Sequence, residues 1–233
     1  MCGRFAQASE PQAIAELFTL PVDAVPSYRP RYNIAPTQPA LVLRRHPHGD
    51  GTELTFLTWG LIPSWAKDPG IGGRLINARA ETLAEKPAFR AAFRRRRCLV
   101  PADGFYEWRK AGKNKQPIFI ARQDRKPMAL AGLWEHWQSP DGSVIESFSL
   151  ITTAPNDLVR PIHDRMPAIL PEDAFDLWLA PDADLQALQA LLLSPYPASL
   201  LEAWPVSQRV NSPVHDDASL IEPLPMLFSP DDF

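Results

Sequence analysis

Residues 129–152 read ALAGLWEHWQSPDGSVIESFSLIT, and the pair Asp141-Gly142 near their middle decides the fold class. Asp-Gly readily adopts the positive-φ turn that joins two closely paired strands, and apolar and aromatic runs, Ala129–Trp134 and Ser147–Thr152, lie on either side of it. An antiparallel hairpin is therefore predicted. A second hairpin is predicted upstream, where Ala111-Gly112-Lys113 separates Phe105–Trp108 from Ile118–Ala121. Further out, Cys98–Val100, Leu54–Trp59 and Leu41–Arg44 are short runs of the same kind, bounded by turn residues. Helical periodicity is confined to four places. Ser9 followed by Gln12 reads as a capping box opening a helix whose apolar face is Ile14, Leu17 and Phe18, and periodic stretches recur at Ala88–Arg95, Glu172–Leu179 and Asp184–Leu193. The class is α+β, with an antiparallel, barrel-like sheet and flanking helices. The 26 prolines run from Pro11 to Pro230 without gathering into a linker, so one domain over 1–222 and a tail over 223–233 are expected.

The 233 residues carry a net charge of −3 and 45% apolar side chains, enough for a substantial core. That total conceals a split: residues 1–126 hold 21 basic and 11 acidic side chains, whereas 127–233 hold 3 and 16. Such an asymmetry can place a positive surface, suited to a polyanion, on a mildly acidic protein. No run of ~18 apolar residues and no basic-then-apolar leader occurs, so no membrane association is expected and a cytoplasmic location is. Cys2 and Cys98 are the only cysteines and lack zinc-site spacing, so neither a disulfide framework nor a metal is expected. Gly70-Ile71-Gly72-Gly73 lacks the Lys-Ser/Thr of a phosphate loop, and no dinucleotide fingerprint follows it. No cofactor, nucleotide or otherwise, is expected. The run Arg94–Arg97 reads as a solvated helix face in preference to a phosphate contact.

Cys2 is the most informative residue. Its side chain is small enough for Met1 to be removed, leaving a free α-amine and a thiol on one residue. Unperturbed, these titrate near ~7.7–8.0 and ~8.5, so both nucleophiles are within reach of neutral pH, and neighbouring Arg4 would lower the thiol further. A 1,2-aminothiol traps an aldehyde twice over: the amine forms an imine, and the thiol then closes a five-membered thiazolidine ring.

Six segments occur in order: Met1-Cys2-Gly3-Arg4-Phe5, Arg31-Tyr32-Asn33-Ile34-Ala35-Pro36, Trp59-Gly60-Leu61-Ile62-Pro63-Ser64-Trp65, Asn77-Ala78-Arg79-Ala80-Glu81, Cys98 through Trp108, and His163-Asp164-Arg165-Met166-Pro167. Together they resemble the SOS-response-associated peptidase (SRAP) family of abasic-site shielding proteins from Cys2 to about Glu222. The resemblance implies a sensor of abasic sites in single-stranded DNA that bonds covalently, through Cys2, to the ring-opened deoxyribose. Carried over by position, Cys2 is the nucleophile, Asn77 orients the sugar and the amine, Glu107 is the acid/base group, and His163 assists proton transfer and crosslink reversal. Arg4, Arg79 and Arg165 match phosphate contacts, Trp65 a residue that packs on a base, and Asn33 and Thr152 further DNA contacts. Read without the family pattern, Glu107 is the polar face of an alternating strand, His163-Asp164 a structural pair, the arginines surface ion pairs and Trp65 core filling. Two other functions stay open, a thiol (auto)peptidase using Cys2 and a noncatalytic single-strand binder. A monomeric, stand-alone bacterial form without clamp recruitment, nucleoid-associated when on DNA, is expected.

Overall fold

The computed structural model describes residues 2–112 and 114–224. The expected Met1 removal, the Lys113 position of the second turn and most of the expected tail lie outside the described residues. In chain order the strands are Phe5–Gln7 (β1), Arg31–Ile34 (β2), Pro39–Arg45 (β3), Thr52–Trp59 (β4), Asn77–Arg79 (β5), Arg97–Ala102 (β6), Gly104–Ala111 (β7), Asn114–Arg122 (β8), Met128–Gln138 (β9), Val144–Thr153 (β10), Met166–Pro167 (β11), Ile169–Leu170 (β12) and Leu201–Pro205 (β13). The α-helices are Pro11–Phe18 (α1), Arg90–Arg95 (α2), Phe175–Leu179 (α3) and Leu185–Leu193 (α4).

Both predicted hairpins form. Gln138 faces Val144 across the Asp141-Gly142 turn, and Ala111 faces Asn114 in the other. Gly142 and Gly112 sit at φ +90° and +59°, the region these turns require and side chains resist. Five strands close into a ring, β10–β4–β3–β6–β9 and back to β10. Closure leaves no free edge in that ring. The expected antiparallel, barrel-like sheet is present, and β10 adds two parallel pairings, with β4 and β5, that the sequence reading did not include. The β4–β10 joint is made by strands 85 or more residues apart in sequence and seals the barrel, which no local turn signal could report.

Alternate residues of all five ring strands, among them Val42, Leu57, Val100, Leu130 and Phe148, share one core cluster inside the barrel. Their neighbours on the outer face, such as Leu41, Leu99 and Leu133, form a second core with α1 to α4. The second sheet, in the order β13-β8-β7-β1-β2, lies over one barrel end, where the Phe5 ring meets Trp59 edge-on at 4.9 Å. The opposite end is closed by Arg44, stacked over Trp134 at 4.2 Å and bridged to Glu53 and Glu146.

Two local expectations are revised. The capping box does not form: Glu10 is the residue before α1, Pro11 occupies its first turn, and the Ser9 hydroxyl bonds to the Asp103 carboxylate instead. The arginine run is not a uniform solvated face, because Arg97 is buried in β6 and donates to the carbonyls of Phe93, Arg94, Trp178 and Ala180. Gly104, where β7 meets β1, has no room for a side chain: an added Cβ would lie 2.4 Å from Phe119 Cζ and 2.6 Å from the Ile120 carbonyl oxygen. Gly104→Ala is expected to cost about 2–3 kcal/mol of stability, read as a shifted urea midpoint at constant slope.

Candidate active site

The amino terminus is drawn into the structure as a strand. Phe5 pairs with Phe105 and Ala6 with Gly104, and the Tyr106 N–H donates to the Arg4 carbonyl at 3.0 Å. Continued by two residues, this antiparallel ladder carries Gly3 and Cys2 alongside Glu107. Cys2 is fully buried in the barrel-end core, its thiol 3.8 Å from the Arg4 carbonyl. Burial pushes the thiol well above its ordinary range, and the Glu107 charge adds to the effect. The expectation that Arg4 activates the thiol is therefore corrected. The Arg4 guanidinium points elsewhere, donating at 2.7 Å to Asn33 Oδ1 and to the Val210 carbonyl.

Asn77 reaches Cys2 from the short parallel strand β5, which the neighbouring Trp59 indole holds through the Ile76 carbonyl at 2.8 Å. Asn77 Nδ2 donates to the Cys2 carbonyl at 2.7 Å, while its buried Oδ1 has no hydrogen-bond partner among the described residues. An orphaned buried acceptor beside Cys2 is a position for a ligand donor. Glu107, opposite Ile118 in β7, is only 2% exposed, so it is not the solvent face of its strand. Burial raises its carboxyl to about 7, with the Asp164 charge acting in the same direction. A group at that value is protonated and ionised in comparable amounts near neutral pH, as an acid/base catalyst must be.

His163 lies on the loop between β10 and β11. Its Nδ1 accepts the Arg165 N–H at 3.0 Å and lies 3.0 Å from Asp164 Oδ1. Burial lowers its pKa, which favours the neutral ring. With Nδ1 accepting, the ring proton resides on Nε2, and the His163–Asp164 approach is not an ion pair in that state.

Arg79 and Trp65 are exposed, Trp65 at 59%, which removes the core-filling reading of the tryptophan. Arg165 is engaged by the Glu81 carboxylate at 2.6 and 2.9 Å and donates to the Thr152 carbonyl at 2.6 Å. Asn33 and Thr152 have no exposed surface. Asn33 holds Arg4 on one side and the carbonyls of Ser212 and His215 on the other, so it positions the Arg4 guanidinium and offers no surface of its own. Thr152 meets Arg165 only through its main-chain carbonyl, its hydroxyl lying 3.5 Å from the Ala78 carbonyl. Sequence reading missed Lys115, Gln208 and Asn211, which with Trp108 and Asn114 line an open groove of about 740 Å³ on the Trp108 face of β7. In the β7–β8 hairpin Trp108 is opposite Pro117 and Lys115 opposite Lys110, which brings Trp108 and Lys115 to one groove, a cue available only once the register is known. Among the described residues no group of three or more His, Cys, Asp or Glu is placed to hold a metal, and no helix is long and apolar enough to cross a membrane.

A buried Cys2 clasped by Asn77 and faced by a half-ionised Glu107 can be compared with known proteins. The family model described as SOS response associated peptidase (SRAP) matches residues 1–213. The chain belongs to the SRAP family. Relatives of full length confirm the membership. Abasic site processing protein YoqW of Bacillus subtilis is 46% identical over 226 residues, covering 95% of this chain and 99% of its own. YedK of Escherichia coli, also named an abasic site processing protein, is 33% identical over 230 residues, with 96% and 100% covered. A crystal structure of a Bacteroides thetaiotaomicron protein superposes with a TM-score of 0.83 at 27% identity, covering 96% of this chain and all of that one. The SRAP membership gives the α+β barrel of this chain its place among solved folds.

Proposed function

We propose that this SRAP protein processes abasic sites in single-stranded DNA by forming a covalent crosslink through Cys2 after Met1 is removed. The observation that carries the reading is the convergence of Asn77, from β5, and Glu107, from β7, on the residue that becomes the new amino terminus. In the proposed sequence the Cys2 amine bonds to the aldehyde carbon of the ring-opened sugar. The hydroxyl formed from the aldehyde oxygen departs as water, protonated by Glu107, and an iminium remains, its nitrogen keeping one hydrogen of the original amine. Glu107 is then a carboxylate beside the Cys2 thiol. It takes the thiol proton as sulfur adds to the iminium carbon, the C=N electron pair returns to nitrogen, and the neutral N–H thiazolidine closes with Glu107 protonated again. A raised thiol pKa suits this order, because the sulfur stays protonated until the acid has become a base. Asn77 fixes the Cys2 carbonyl and offers Oδ1 to a sugar hydroxyl, and His163 donates from Nε2 when the ring reopens.

Intact mass spectrometry tests the reading. The expected result is loss of Met1 and, on an abasic oligonucleotide, a gain of the strand's mass less one water; peptide turnover without that gain would replace it with the peptidase function. The DNA face makes a further expectation. Each neutralised phosphate adds about 0.7 to the slope of log affinity against log salt, so Arg79→Ala should shallow it by about 0.7. Trp65→Ala should weaken binding with little change of slope, since stacking releases few counterions. Arg165 is already neutralised by Glu81, so Glu81→Gln should tighten single-strand binding and steepen the slope by up to about 0.7. Titrations at several salt concentrations measure all three, and an unchanged slope in both charge variants would remove this face.

A further inference from the structure

The arginine run has a second setting, away from Cys2. Strand β3 is seven residues long, from Pro39, paired with Thr58 near the Cys2 end, to Arg45, paired with Thr52 at the other. At ~3.3 Å per residue the two rims are ~20 Å apart. At the far rim a pocket of about 330 Å³ opens between the end of β3, the end of α2 and the turn after α3, lined by Arg45, Arg95, Arg96, Arg97 and Trp134 among others. Its cations are unequally used. Arg97 is buried and held by four main-chain carbonyls, so its charge is compensated by no carboxylate among the described residues. Arg96 pairs with Glu135, while Glu53 and Glu146 are taken by Arg44. Arg45 and Arg95 are exposed and form no ion pair among the described residues. Asp182, next to the lining residue Pro181, does not itself line the pocket.

We propose that this far-rim pocket is a second phosphate-backbone site, engaged by DNA flanking the lesion, a proposal that rests on single-stranded DNA being the partner at the Cys2 end. Two free guanidinium forks above a buried, uncompensated third match the planar two-point recognition of phosphate oxygens. The nearly buried Trp134 supplies a wall and not a stacking platform, so the contact is to backbone and carries no base preference. A strand joining the two rims must run over the outside of the barrel, a path of at least ~20 Å, so only an oligonucleotide with several nucleotides on one side of the lesion engages both sites.

The test compares Arg45→Ala/Arg95→Ala with wild type on two abasic oligonucleotides, one with about two nucleotides on each side of the lesion and one with about fifteen. On the long strand the double variant should bind at least tenfold more weakly at low salt, with a slope shallower by about 1.4; on the short strand the two proteins should be equal. Arg45→Lys/Arg95→Lys should restore the slope. Arg94→Ala, in the same run but outside the pocket lining, should move it by less than half as much. Equal long-strand binding by wild type and double variant would overturn the proposal and leave the pocket to another polyanion, such as an acidic protein segment. So would an Arg94→Ala effect as large as that of the double variant. Failure of wild type to crosslink either strand, with an arginine-dependent slope kept on the long one, would sink the proposed reaction and leave this site standing.

Discussion

In Cys2→Ser the durable adduct with an abasic strand is expected to fall to background on denaturing gels, whereas Cys98→Ser crosslinks as wild type does. The contrast follows from position and not from burial, since both thiols are fully buried and both are pushed up by desolvation. Cys2 is drawn beside Asn77 and Glu107 by the β1–β7 ladder, and sulfur is the atom that closes the ring. Cys98 lies in mid-chain inside the barrel, where the Gly132 backbone packs against its sulfur, and it carries no α-amine. Serine keeps the amine, so a transient imine is still expected and should be trapped by borohydride. A durable crosslink in Cys2→Ser without reductant would rule out the thiazolidine.

Glu107→Gln is expected to slow crosslinking by about 100-fold or more, the usual scale for a general acid, while single-strand affinity changes by no more than a few fold. The pH profile should change shape as well. In wild type the rate rises as the amine deprotonates and falls as the Glu107 carboxyl ionises around pH 7. The amide has no proton to lose, so the falling limb disappears in the variant. Stability gives an independent reading of the same carboxyl. Its folded-state pKa is raised from 4.5 to about 7, so between those values the folded chain holds more protons than the unfolded one. Stability attributable to Glu107 is therefore present below 4.5 and is lost as pH rises to about 7. Glu107→Gln should flatten that part of the unfolding profile. Unchanged crosslinking rates in the variant across neutral pH would remove the acid/base role.

The glutamate also shows how far sequence reading reaches. Phe105-Tyr106-Glu107-Trp108 is legible as a strand, and alternation alone makes Glu107 its polar face. Packing of the second sheet over the barrel end buries that face, and burial is what brings the carboxyl to about 7. Arg4, Arg79 and Arg165 read alike as cations, yet the structure gives them three conditions. Arg4 is held by Asn33 and the Val210 carbonyl, Arg79 is exposed, and Arg165 is paired with Glu81, 84 residues away in sequence.

The sequence by itself determined the features that depend on neighbours along the chain. The positive-φ turns at Gly112 and Gly142, the strands they join, the apolar face of α1 and the 1,2-aminothiol latent in Cys2 all follow from a few consecutive residues. Tertiary structure alone decided what depends on distant segments meeting: the parallel β4–β10 joint that closes the barrel, the 75-residue reach from Asn77 to Cys2, and the collection of Arg45, Arg95 and Arg97 around one pocket. The physical reason is that turn and helix preferences are set by local sterics and hydrogen bonding, whereas desolvation and charge pairing depend on which surfaces folding removes from water.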